Sequence, residues 1–168
     1  MGVRRELLLL RHGIAQERSP ALEDAARALT PQGRRRSEQV LERLVAIGLR
    51  CDHLISSPLV RARQTAELAL AAGLAERLEI SAALAPGGRP EPLLRGGWSR
   101  LGLVGHEPDL SALATALCGA PAGSLRLRKA GVVLLELADA GDAASSEGPW
   151  PLSGATLQLL LSPRSLGL

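Results

Sequence analysis

Phenylalanine and tyrosine are absent from this chain of 168 residues, and tryptophan occurs only at Trp98 and Trp150. A core without those rings must be built from Leu, Ala, Val and Ile. There is also no aromatic platform on which bases could stack, and no nucleic-acid motif, so nucleic acid is not expected as a partner. Lysine is nearly missing as well. Lys129 is the only one, and arginine carries the rest of the positive charge, which we read as a base-composition bias of the genome. Cys51 and Cys118 lack metal-ligand spacing and are expected as free thiols rather than a disulfide. No metal and no other cofactor is expected. No apolar run approaches a membrane span, and Leu7–Leu10 is too short for a signal peptide and runs into a polar motif. The expectation is a cytoplasmic protein with no membrane partner.

What remains is a chain that is 46% apolar with a net charge of +3. Its length suits one domain with a sizeable core, spanning residues 1–168. The Arg34-Arg35-Arg36 run reads as the solvated first turn of a helix. A basic surface still favours an acidic protein substrate.

Strand and helix patterns alternate along most of the chain. Glu6–Arg11, His53–Ser56, Leu78–Ile80, Leu101–Gly105, Val132–Leu137 and Thr156–Leu161 read as strands, with a further short one at Leu125–Leu127. Thr30-Pro31 opens a helix with Thr as N-cap, its apolar stripe formed by Val40, Leu41, Leu44 and Ile47. Ser57-Pro58 repeats the device ahead of Leu59, Ala62, Ala66, Ala69 and Leu70. Pro108 starts a third helix with Leu110, Leu113, Ala114 and Leu117 on one face, ending at Gly119. Residues 86–100 read as loop with a short helix around Glu91–Arg95, and Ala138–Pro151 as a polar loop. The order predicts a three-layer α/β/α sandwich with a mostly parallel central sheet and the last two strands at an antiparallel edge.

Three segments share one design: a strand, then a basic or imidazole residue, then a loop or helix start. The first delivers Arg11, His12 and Gly13. The second puts Arg61 near the start of the helix after Ser57-Pro58. The third puts His106 between Gly105 and the helix after Pro108. If those strands are parallel neighbours, Arg11, His12, Arg61 and His106 converge on one crevice at the carboxyl ends of the strands. Helix N-termini there favour an anion, and Gly13 and Gly105 permit close backbone approach. Two guanidiniums can grip phosphoryl oxygens, while one imidazole attacks phosphorus and the other donates a hydrogen bond.

These segments carry a resemblance. Arg11-His12-Gly13, the stretch from Ser57 to Ala66 and Gly105-His106 resemble the histidine phosphatase superfamily, or phosphoglycerate mutase-like fold. Arg27 to Gly33, Val104 to Leu110, Lys129-Ala130-Gly131 and Leu159 to Arg164 are similar to its short, SixA-type phosphohistidine phosphatases. The resemblance covers essentially the whole chain. It implies that His12 is the nucleophile, transiently phosphorylated, with Arg11, Arg61 and His106 completing a metal-independent phosphate pocket and Gly13 beside it.

One departure from the wider superfamily bears on substrate. Mutases and many phosphomonoesterases carry a mid-chain Glu or Asp as general acid, whereas around Ala85–Leu94 the only acid is Glu91, in no recognised motif. An alkoxide leaving group needs a proton during cleavage, and an imidazole with a pKa of about 6.5 needs much less help. The expected reaction is therefore hydrolysis of N-linked phosphate on a protein histidine, such as that of a phosphotransfer domain, by a monomer or weak oligomer. A small-molecule phosphomonoesterase is the first alternative, and a non-catalytic phosphoprotein-binding module the second. Glu17, Glu23, Asp24, Glu91 and Glu107 stay open as acids, although Glu17 and Asp24 read as solvated loop residues. His53 reads as a strand-start histidine, and Lys129 as a surface cation, with a substrate contact at the pocket mouth as its alternative.

Overall fold

The computed structural model describes residues 4–137 and 154–168. Its centre is a sheet of six strands: β1 Arg5–Arg11, β2 His53–Ser56, β3 Leu78–Ile80, β4 Arg100–Gly105, β5 Val132–Leu137 and β6 Thr156–Leu161, in the order β3-β2-β4-β1-β5-β6. The pairs β3·β2, β2·β4 and β4·β1 are parallel, whereas β5 is antiparallel to both β1 and β6. The expected antiparallel edge is present. The expected polar loop at 138–151 and Trp150 lie outside the described residues.

The four-leucine run explains itself in this sheet. Successive strand side chains point to opposite faces, and a strand covered on both faces reads as continuously apolar. Leu8 and Leu10 join a core with α1 (Pro31–Ala46) and α2 (Val60–Ala71), through Leu41, Leu44, Ala62 and Ala66. Leu7 and Leu9 join a second core with α3 (Asp109–Cys118), through Leu110, Leu113 and Leu117. All four leucines are fully buried. Helices thus lie on both faces, giving the α/β/α sandwich. Half-buried Trp98 packs against the α3-side core, and Arg5 stacks 3.8 Å from its ring centroid. Cys51 and Cys118 are free. No helix among the described residues is long and apolar enough to cross a membrane.

Local signals place the elements and their buried faces with three exceptions. Thr30 caps α1 as expected, its side chain accepting from the Gly33 amide at 2.9 Å, and Gly119 ends α3 at φ 64°. Ile47, however, falls at the C-cap of α1 and is exposed, because the chain turns away before its stripe position reaches the core. Ser57 does not cap α2, which begins at Val60 after Leu59. Residues 125–127 form no strand. The Leu127 amide is taken by the side chains of Ser111 and Glu107 and its carbonyl by Arg11, so the backbone groups a strand would pair are already bound.

The strand ends that matter for function are tied to one another. β4 lies between β2 and β1, with Arg11 opposite Gly105. The His12 amide donates to the Gly105 carbonyl at 3.1 Å and the Ser57 amide to the Val104 carbonyl at 2.9 Å. On the other side of β1, the Ala130 amide donates to the His12 carbonyl at 3.1 Å.

Candidate active site

The three segments do meet. Arg61 Nε lies 3.3 Å from His12 Nε2, and the His12 and His106 rings stand 5.1 Å apart at 53°. The charge of Arg11 acts on both rings, which places all four residues in one electrostatic neighbourhood. His12, Arg61 and His106 are buried, and Arg11 is half-buried, anchored by a 2.9 Å bond to the Leu127 carbonyl.

The orientation of His12 follows from its hydrogen bonds. Nδ1 is 2.7 Å from the Gly13 carbonyl. A carbonyl can only accept, so Nδ1 carries the hydrogen and Nε2 presents its lone pair. Arg61 Nε–H donating to Nε2 is consistent with that tautomer. Burial drives the His12 pKa from 6.5 down to about 3; the Gly13 bond acts in the opposite sense, and the charges of His106, Arg61 and Arg11 lower it further. Burial also lowers His106, to about 4, with Arg61 as the next cause. The arginines anticipated from the sequence do disfavour imidazolium, but desolvation is the larger effect. Both rings are neutral at pH 7.

Gly13 is bonded on both sides. Its amide donates to Thr65 Oγ1 at 3.1 Å and its carbonyl accepts from His12 Nδ1 at 2.7 Å, so it orients the His12 ring. The close approach that demands glycine here is by α1: a Cβ on Gly13 would stand 2.2 Å from Ser37 Oγ. Thr65 in turn donates to the Arg61 carbonyl one helical turn earlier, at 2.7 Å. One threonine therefore ties the His12 loop to the helix that carries Arg61. Sequence reasoning missed it, although a hydroxyl on the buried Ala62–Ala66–Ala69 face of α2 was a signal.

The open question of the acids is largely answered by what each one binds. Asp24, read from the sequence as a solvated loop acid, is a partner of Arg61. Its carboxylate accepts from Arg61 at 3.0 Å and its carbonyl accepts from the same guanidinium at 2.7 Å. Arg27 contacts it at 2.8 Å and Arg18 at 3.4 Å. Partial burial raises the carboxyl, but hydrogen bonds and charge from Arg61 and Arg27 outweigh it and hold the group below the ordinary carboxylate range. It stays ionised at neutral pH. The loop that brings it there is itself bound down, with the Gln16 amide on the Ala28 carbonyl at 2.8 Å and the Leu29 amide on the Gln64 side chain at 2.7 Å. Glu107 is engaged by the Ser111 amide at 3.1 Å, the Ser111 hydroxyl at 2.6 Å and the Leu127 amide at 3.3 Å. It knits α3 to the segment anchoring Arg11. Glu17 and Glu23 are exposed, and half-buried Glu91 starts a short 3₁₀ turn ending at Leu94.

His53 stands as the sequence suggested, whereas Arg36 of the run read as solvated is half-buried. Lys129 is exposed on the segment beside His12, and His53 begins β2 with Glu79 at 3.4 Å. The Arg34–Arg36 run lies in the first turns of α1, where Arg36 reaches the Leu168 carbonyl at 2.8 Å.

The chain is similar to known proteins in sequence and in fold. The model of the histidine phosphatase superfamily (branch 1) matches residues 7–85. An uncharacterized protein of Picosynechococcus sp. is 37% identical over 96% of this chain and 98% of its own length. The structure of the protein histidine phosphatase SixA complexed with tungstate superposes with a TM-score of 0.78 at 21% identity, covering 96% of this chain and 99% of that one. The putative phosphohistidine phosphatase SixA from Agrobacterium tumefaciens gives 0.69 at 24% identity, over 79% of this chain and 91% of that one. With the sequence match beginning in β1 and carrying the Arg11-His12 pair and Arg61, and with the fold shared, this chain belongs to the histidine phosphatase superfamily.

Proposed function

We propose that the protein is a phosphohistidine phosphatase of the SixA type, removing N-linked phosphate from a histidine presented by another protein. The observation that carries this reading is the state of His12: neutral, with Nδ1–H held by the Gly13 carbonyl and the Nε2 lone pair beside Arg61 and His106. In the first step that lone pair attacks phosphorus and the bond from phosphorus to the substrate nitrogen breaks. The electron pair stays on the substrate ring, whose second nitrogen already carries a proton before the bond breaks, so the ring leaves as neutral imidazole. Phosphorylated His12, substituted at Nε2 and protonated at Nδ1, is cationic, and its bond to the Gly13 carbonyl stabilises that charge. In the second step water attacks phosphorus, the Nε2–phosphorus bond breaks, and the proton lost by water ends on inorganic phosphate. His12 returns to its starting tautomer. Arg11 and Arg61 neutralise the phosphoryl oxygens throughout.

The substrate class rests on the acids. Among the described residues, Asp24 and Glu107 are committed to other partners. Asp24, held ionised by Arg61 and Arg27, offers a leaving alkoxide no proton, whereas an imidazole leaving group does not require one. A phosphotransfer domain, metal-independent turnover and action as a monomer or weak oligomer complete the proposal.

The test compares a phosphohistidine protein with p-nitrophenyl phosphate and sugar phosphates at equal concentration. Phosphohistidine is expected to turn over fastest, with label trapped on the wild type and not on His12→Ala. Much faster turnover of an ester would overturn the substrate class. Equal turnover by His12→Ala would overturn the nucleophile.

A further inference from the structure

Ser57 precedes α2 yet caps nothing in it. Its hydroxyl is fully buried and lies 2.7 Å from His106 Nε2. The same oxygen accepts the Leu59 amide at 3.3 Å. On the other side of the His106 ring, Nδ1 is buried and has no partner among the described residues.

Counting donors and acceptors decides which way the hydrogen between Ser57 and His106 points. Suppose His106 Nε2–H donates to Ser57. The serine oxygen then accepts twice, its own hydrogen has no acceptor among the described residues, and Nδ1 is left as a bare buried lone pair. Such a lone pair would repel a phosphoryl oxygen. Suppose instead that Ser57 donates to Nε2. Its oxygen accepts from Leu59, its hydrogen is used, and the one group left over is an Nδ1–H donor. A buried donor without an acceptor is costly, and its recurrence at a reactive site calls for a ligand. A phosphoryl oxygen is that ligand.

We propose that Ser57 is a positioning residue which, by donating its hydroxyl hydrogen to His106 Nε2, holds His106 in the Nδ1–H tautomer so that the ring offers a donor to the phosphoryl group. This rests on the phosphoryl-transfer reading above. The two histidines then share one tautomer and divide the work: His12, set by a carbonyl, offers a lone pair, and His106, set by a hydroxyl, offers an N–H. The local chain makes this possible. Because α2 starts three residues after Ser57, the hydroxyl is not consumed by the helix terminus.

The experiment is long-range proton–nitrogen NMR of the 15N-labelled full chain at neutral pH without ligand, in which only three histidines contribute signals. His106 is expected as the Nδ1–H tautomer in the wild type and in Ser57→Thr, and shifted toward Nε2–H in Ser57→Ala. In parallel, Ser57→Ala should lose about 10- to 100-fold in kcat/KM and bind tungstate more weakly, as expected for a group that orients a ligand-binding imidazole, while Ser57→Thr recovers part of both. An Nε2–H His106 in the wild type overturns the proposal. So does a Ser57→Ala protein with wild-type tautomer and turnover. The tautomer is read without substrate, so a failure to hydrolyse phosphohistidine would count against the proposed function and not against this assignment.

Discussion

Lowering the pH from 7 to 5 should destabilise the fold sharply, and through two side chains. In the unfolded chain His12 and His106 protonate at the ordinary value of 6.5; in the folded protein, chiefly because they are buried, they do so only at about 3 and about 4. Between those limits the unfolded state binds more protons, so stability falls as pH drops below about 6.5 and keeps falling until the folded values are reached. Integrated from pH 7 to pH 5, each ring contributes about 2 kcal/mol, or about 4 kcal/mol together. That is a large share of the 5–15 kcal/mol typical of a domain. Asp24 does not add to this window. Its folded pKa lies below the unfolded 3.8, so its contribution is present above that value and is lost only at lower pH. The assay is urea unfolding at both pH values, with the free energy taken from midpoint and slope. His12→Asn should remove about half of the pH dependence. Equal stability at pH 7 and pH 5, or a His12 ring that titrates near 6.5 by NMR, would refute the claim that burial holds these imidazoles neutral.

Three further outcomes follow from contacts. Gly13→Ala forces a Cβ to within 2.2 Å of Ser37 Oγ, so turnover should fall more than about tenfold and stability by about 1–3 kcal/mol. Ser37 Oγ has no hydrogen-bond partner among the described residues, so Ser37→Ala should be mild alone and should restore part of the Gly13→Ala activity, and no restoration would show that the clash is not the cause. Asp24→Asn leaves Arg61 its bonds to the Asp24 carbonyl and to His12, so kcat should change by less than about tenfold; a loss of the 10²–10⁴ expected for removing a general acid would reinstate Asp24 in that role. Glu107→Gln turns one acceptor of N–H and O–H groups into a donor, costing about 1–3 kcal/mol as a lowered Tm, and an unchanged Tm would show that Glu107 does not secure the Leu127 segment.

Much of the site could be read before any contact was known. The run Leu7–Leu10 reads as a buried strand, and that put Arg11 and His12 at its end. Thr30-Pro31 and Gly119 marked helix limits through caps that act within a few residues. Where the reading failed, a distant group had intervened. Leu125–Leu127 has strand composition, but Ser111, Glu107 and Arg11 claim its backbone. Ile47 keeps the helical period of its stripe, but the chain leaves the core before it can be buried. Asp24 looked like any loop acid until Arg61, 37 residues on, was found against it.

By itself the sequence determined the elements and the chemical inventory, because propensity, periodicity and capping are local and the four-residue set of Arg11, His12, Arg61 and His106 stands in recognisable contexts. Only the tertiary structure decided that β4 runs between β2 and β1, that His12 is neutral with its lone pair on Nε2, that Asp24 braces Arg61, and that Ser57 faces His106. Those properties depend on burial and, for Asp24 and Ser57, on hydrogen-bond partners 37 and 49 residues away, and neither exists until the chain has packed.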